Sequence, residues 1–120
     1  MNIYTTVVTK LGPSASDFLA DKMLILFKNN APEELAEFCI LHEENKLNDQ
    51  IQAGDTLSIA DTSFQITAVG SAVNKNLDSL GHITIKADGA TEAELPGTLS
   101  IEDGELPEVN TGDSITVTRK

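Results

Sequence analysis

At 120 residues the chain is long enough for one hydrophobic core and too short for two well-stabilised ones, so a single domain over residues 1–120 is expected. A formal charge of −11, from 19 acidic against 8 basic residues, excludes the clustered Lys and Arg that nucleic acid or an anionic lipid surface demands. The apolar share of 40% is ordinary and spread along the whole chain, which excludes a long disordered region.

The first residues, Met1-Asn2-Ile3-Tyr4-Thr5-Thr6, carry neither the basic start nor the apolar run of a signal peptide. The longest apolar stretch, residues 23–27, is far short of the roughly 20 residues that span a bilayer. A cytoplasmic protein with no direct membrane insertion is expected. Pro13-Ser14-Ala15-Ser16-Asp17 reads as a turn and cap leading into Phe18-Leu19. Ala31-Pro32-Glu33-Glu34-Leu35 places a proline and two acids in a first helical turn, where both are favoured. Phe38-Cys39-Ile40-Leu41 is apolar at successive positions and predicts a strand buried on both faces, with His42 at its mouth. Glu43 and Glu44 then open a polar stretch, residues 45–49, that reads as a solvated loop.

Farther on, apolar and polar residues alternate with the period of two of a strand covering a core on one face. Leu57 and Ile59, Phe64 and Ile66, Ile83 and Ile85, Leu99 and Ile101, and Ile115 and Val117 all follow it. Turns punctuate these runs: Ala60-Asp61-Thr62 predicts a hairpin loop, and Ala87-Asp88-Gly89-Ala90, Glu102-Asp103-Gly104 and Asn110-Thr111-Gly112-Asp113 separate the rest. A third helix is expected from about Ala72 to Leu80, stopping at Gly81. The pattern is that of an all-β body, a small barrel with short peripheral helices. Residues 52–59 and 110–117 share a Gly-Asp turn before an alternating strand, which common turn chemistry accounts for without an internal repeat.

Few residues can carry chemistry. There is no phosphate-binding glycine loop, nucleophile elbow or His-x-x-x-His pair, which leaves His42, His82, Cys39 and the carboxylates beside them. At a strand's mouth His42 can be held firmly while one ring nitrogen reaches solvent; its bland alternative is a surface or satisfied core histidine. His82 shares a strand face with Thr84 and Lys86, opposite Ile83 and Ile85, and its bland alternative is a polar-face residue. Cys39 is the only cysteine, so no internal disulfide or two-cysteine metal motif forms, and with no base beside it in sequence it reads as a small hydrophobe. The residues leave two other readings open: a noncatalytic binding or regulatory barrel with an acidic docking surface, and a metal-dependent hydrolase built on His42, His82 and carboxylates. The stretch between the two histidines holds no metal-ligand motif.

The phrase Phe38-Cys39-Ile40-Leu41-His42 resembles the phosphorylation-site segment of the glucitol/sorbitol-specific IIA family of the phosphotransferase system. Upstream, Met23-Leu24-Ile25-Leu26-Phe27 and Asn30-Ala31-Pro32-Glu33-Glu34-Leu35 are similar to the strand and acidic turn that precede that segment. Downstream, Thr67-Ala68-Val69-Gly70-Ser71-Ala72-Val73, Asn76-Leu77, Leu80-Gly81-His82-Ile83-Thr84 and Ala93-Glu94-Leu95-Pro96-Gly97-Thr98 keep the family's order and spacing. The resemblance implies a closed or nearly closed barrel of about seven strands. It implies a carrier that accepts a phosphoryl group from HPr and passes it to a cysteine of a IIB component serving a IIC transporter of glucitol/sorbitol. His42 matches the accepting histidine, and His82 lies in a matching block as an auxiliary or structural residue, in the first case helping to orient the phosphoryl group. Neither metal nor cofactor is needed if hydrogen-bond donors surround the transferring group. Glu43-Glu44-Asn45 is more acidic than the family pattern.

Overall fold

The computed structural model describes residues 1–93 and 95–119; Glu94, within one block of the resemblance, and Lys120 lie outside the described residues. Eight strands, one more than expected, close a barrel: β1 (Asn2–Leu11), β2 (Met23–Lys28), β3 (Ile40–Leu47), β4 (Thr56–Ile59), β5 (Thr62–Val69), β6 (Ile83–Lys86), β7 (Thr98–Ile101) and β8 (Ser114–Thr118). Around the ring the order is β1-β3-β2-β6-β7-β5-β4-β8. The β2–β3 and β6–β7 pairs are parallel and the others antiparallel.

The alternating segments become β4 to β8 with their apolar members inward: Leu57, Ile59, Phe64, Ile66, Ile83, Ile85, Leu99, Ile101, Ile115 and Val117 are all buried. Ala60 and Asp61 make the two-residue turn between β4 and β5. The strand that sequence periodicity does not mark is β1. Its buried residues are Ile3, Tyr4, Thr6 and Val8; the period of two holds from Tyr4 to Val8 and is broken at Ile3 and Tyr4, where the register against β8 shifts between Asn2 and Tyr4.

The two Gly-Asp phrases pair with each other, Leu57 opposite Val117 and Ile59 opposite Ile115. Each turn is closed the same way. The Asp55 carboxylate accepts from the Gln52 N–H at 2.9 Å, and that of Asp113 from the Asn110 N–H at 2.8 Å. Asp55 is further gripped by Arg119, whose Nε and Nη2 donate to its two oxygens at 2.8 and 3.0 Å.

The helices lie outside the ring. A 3₁₀ segment spans Ala15–Asp21, α1 spans Glu33–Ala36 behind Pro32, and α2 spans Val73–Leu80. Gly81 ends α2 in the left-handed conformation, φ 61°, as a helix C-cap asks of glycine. Val73 and Leu77 drive this helix onto the barrel. Two sequence expectations change here. Phe38 is 40% exposed and precedes β3, so the doubly buried segment starts at Cys39. Glu43 and Glu44 belong to β3, not to a loop, although both side chains face solvent.

Candidate functional site

β3 carries His42 between Val8 of β1 and Lys28 of β2, its direct partners in the two neighbouring strands. Directly opposed residues share a sheet face, so Lys28 and His42 stand side by side at the barrel's end. The Asn29 N–H donates to the His42 carbonyl at 3.1 Å and pins the strands at this level.

Both ring nitrogens are engaged. Nε2 lies 2.7 Å from the Gly81 carbonyl oxygen, and Nδ1 lies 2.7 Å from Oγ1 of Thr6. A carbonyl only accepts, so the Gly81 contact needs a proton on Nε2. The Thr6 hydroxyl also lies 2.5 Å from the Glu43 carbonyl and accepts from the Asn45 N–H at 3.2 Å. That last contact depends on a kink in β3, where Glu44 and Asn45 take positive φ of 80° and 42°. Asn45 in turn accepts from the Tyr4 hydroxyl at 2.6 Å and donates to the Leu77 carbonyl at 2.8 Å. Two carbonyls at the end of α2 are therefore bound by side chains of β3: that of Leu77, which also accepts the Gly81 N–H, and that of Gly81.

Proton accounting distinguishes the states of the ring. The chain of contacts from Gly81 through His42 and Thr6 to Glu43 has a pure acceptor at each end, so its three links need three protons. A neutral imidazole and the Thr6 hydroxyl supply two; an imidazolium supplies the third. Burial opposes that third proton. The pKa of His42 lies below its ordinary value chiefly because desolvation disfavours the cation, with the Gly81 carbonyl pulling the other way and the Lys28 charge adding to the depression. The resting ring is neutral.

The expectation that one nitrogen of His42 reaches solvent is corrected: the residue is 0% exposed. His42 is also not at the strand's mouth but is the third residue of β3, and the Gly81 carbonyl after α2 covers its Nε2. His82 sits immediately before β6 and is the more accessible of the two. Its Nδ1–H donates to the Leu26 carbonyl at 3.0 Å, which leaves the Nε2 lone pair free of that bond. Its ring stacks on Phe27, centroids 4.5 Å apart and planes inclined by 26°, and borders a cleft of about 130 Å³ with Asn76, Thr84 and Thr98. Gly81 is the link between the two histidines, its carbonyl bound to His42 and its peptide continuing into His82.

Cys39 is 2% exposed in an outer cluster with Phe27 and Leu41, and burial pushes its thiol pKa up, so it serves as packing. Glu43 reaches the network only through its backbone carbonyl; its carboxylate turns outward and accepts from Asn29 Nδ2 at 3.2 Å. Among the described residues no three His, Cys, Asp or Glu side chains gather in metal-binding geometry.

Thr6, Lys28, Asn45 and Gly81 complete a site of which sequence reasoning names only the histidines. One signal was present for Lys28: it follows the apolar run 23–27 as His42 follows the run 38–41, and the two runs pair in parallel with Lys28 opposite His42.

The family described as the PTS system glucitol/sorbitol-specific IIA component matches residues 3–116. The glucitol/sorbitol-specific EIIA components of Shigella flexneri and of Escherichia coli (strain K12) are each 42% identical over 106 residues, covering 88% of this chain and 85% of theirs. The crystal structure of a PTS system IIA component from Enterococcus faecalis V583 superposes with a TM-score of 0.83 at 31% identity, covering 92% of this chain and 96% of that one.

Proposed function

Because the chain belongs to the glucitol/sorbitol-specific IIA family and is a phosphocarrier of the phosphotransferase system, we propose that His42 is the residue that carries the phosphoryl group, on Nε2. In this reading residues 1–120 form one IIA domain in the cytoplasm. It receives the group from phosphorylated HPr and delivers it to a cysteine of the IIB component that serves the IIC transporter.

The observation that carries the assignment is the grip on the His42 ring: Thr6 behind Nδ1, and the Gly81 carbonyl at the end of α2 in front of Nε2. Burial keeps the imidazole neutral and hence nucleophilic. The resting tautomer has its proton on the wrong nitrogen for attack by Nε2. In the other tautomer Nδ1–H donates to Thr6, the Thr6 hydroxyl donates to the Glu43 carbonyl, and the Nε2 lone pair faces the Gly81 oxygen. That pairing is repulsive, so the shift of the proton and the departure of the α2 cap favour each other. Nε2 then attacks phosphorus in line while the donor's P–N bond breaks and its electron pair returns to the donor imidazole. In the second half-reaction the IIB thiolate displaces Nε2, and the ring again rests on Thr6. His82, next to Gly81, is placed to orient the arriving group as an auxiliary residue.

One observation favours a second reading, in which His82 is the acceptor: its Nδ1 is the nitrogen bound to Leu26, its Nε2 has no hydrogen-bond partner among the described residues, and the residue is partly exposed. The experiment is phosphorylation with phosphoenolpyruvate, enzyme I and HPr, followed by mass spectrometry under conditions that preserve phosphohistidine. Phosphate is expected on His42, with none on a folded His42→Ala variant and slower labelling of His82→Ala. A folded His42→Ala that is phosphorylated at the normal rate defeats the assignment.

A further inference from the structure

We propose that Lys28 is the cation that holds the phosphoryl oxygens while the group moves onto and off His42; this rests on the reading that His42 is the acceptor. The chain is strongly acidic, yet it has to receive a dianionic group at a buried nitrogen. Positive charge at that point offsets the charge of the group. Among the described residues Lys22 is bound to Asp103 at 2.7 Å and Arg119 to Asp55 at 2.8 Å, both as ion pairs. Lys28 is the basic residue in register with His42 on the neighbouring strand and on the same sheet face.

Gly81 shows how closely Lys28 approaches. A Cβ on this glycine would lie 2.3 Å from Cγ of Lys28, 3.0 Å from its Cδ and 2.9 Å from Cε1 of His42. The methylenes of Lys28, the backbone of Gly81 and the edge of the imidazole therefore meet at one spot, with Nε2 beside it. Lys28 is half-buried, the state of a lysine whose stem lies along the protein while its ammonium reaches water. When the Gly81 carbonyl withdraws, the space before Nε2 is bordered by this side chain. The ammonium supplies charge-assisted hydrogen bonds to the equatorial oxygens and offsets their charge in the transition state. Lys28 keeps all its protons; the bonds that change are the donor P–N bond, which breaks, and the P–Nε2 bond, which forms. The same charge already acts on the resting ring, where it disfavours the imidazolium.

The test is single-turnover transfer from phosphorylated HPr to the full chain, comparing wild type with Lys28→Gln, Lys28→Arg and the exposed-lysine control Lys10→Gln. Lys28→Gln is expected to lower the saturating rate about 10- to 100-fold, the value of a charged hydrogen bond expressed as a rate, while the half-saturating HPr concentration and the thermal midpoint stay near wild type. Lys28→Arg is expected to recover most of the rate, and Lys10→Gln to lose none. A Lys28→Gln protein that transfers onto His42 at the wild-type saturating rate overturns the inference alone. Phosphate mapped to His82 overturns the His42 reading, and the inference with it.

Discussion

Gly81→Ala perturbs the fold and the site at a single atom. The native φ of 61° places any L-residue in the left-handed region, at roughly 1–2 kcal/mol. The added methyl would also sit 2.3 Å from Lys28 Cγ and 2.9 Å from His42 Cε1, contacts that real structures do not hold. Lys28 is flexible and can swing aside, but the imidazole is tied at both nitrogens, so part of the clash has to move the α2 cap; overpacking of this kind costs about 1–3 kcal/mol. The sum is about 2–5 kcal/mol, a large share of the roughly 5–15 kcal/mol that holds a domain folded. Urea unfolding followed by circular dichroism measures it directly. A second readout is the His42 imidazole resonance during a pH titration: if the cap is displaced and the ring meets water, its depressed pKa rises toward the ordinary value. A Gly81→Ala protein with the wild-type urea midpoint and an unchanged His42 titration would refute the claim that this glycine is what fits the cap against the ring.

Thr6→Val keeps the shape and removes the hydroxyl shared by His42 Nδ1, the Glu43 carbonyl and the Asn45 N–H, so a loss of about 1–3 kcal/mol in urea unfolding and slower transfer from phosphorylated HPr are expected. The His42 pKa is depressed in the folded protein, so its contribution to stability is complete above the unfolded value of 6.5 and is lost progressively as pH falls below it; His42→Gln should flatten that part of a stability-against-pH curve. The Asp55 carboxyl is held below its ordinary value of 3.8 chiefly by the hydrogen bonds from Arg119, so its contribution is present above that pH and is lost on further acidification. Asp55→Asn should cost about 2 kcal/mol at pH 7 and remove this acid limb, which thermal melts across pH can check. The exposed Glu43 and Glu44 follow His42 along β3 and should speed encounter with a basic donor: the initial transfer rate should fall with added salt, and fall less in the Glu43→Gln, Glu44→Gln variant.

What sequence shows of this barrel is what lies close along the chain. The Ala60-Asp61 turn, the stop of α2 at Gly81 and the inward faces of β4 to β8 all come from spacing of neighbours, and the structure keeps them. β1 escaped because Ile3 and Tyr4 are buried in succession, beside the register shift against β8, and because the next inward residue, Thr6, is polar. The burial of His42 escaped for a different reason. Nothing near residue 42 announces that a helix some thirty residues downstream closes over it, and the carbonyl on Nε2 belongs to that helix cap. Likewise Thr6 and Lys28 join the site through strand register, which depends on how the whole ring closes.

β8 stands between β1 and β4 and is hydrogen-bonded to both, so the ring has a gap until residues 114–118 are in place. During synthesis the ribosome releases β1 first and its partner β8 last of the strands. Until then β1 and β4 each present an unpaired edge, the kind of surface that templates association with other chains. The wait is for a contact between distant parts of the sequence, which makes closure slow relative to the local β4–β5 hairpin. Any unfolded or newly made chain therefore passes through a form with both edges open, and a chaperone that shields strand edges should act on that form and not on the closed ring.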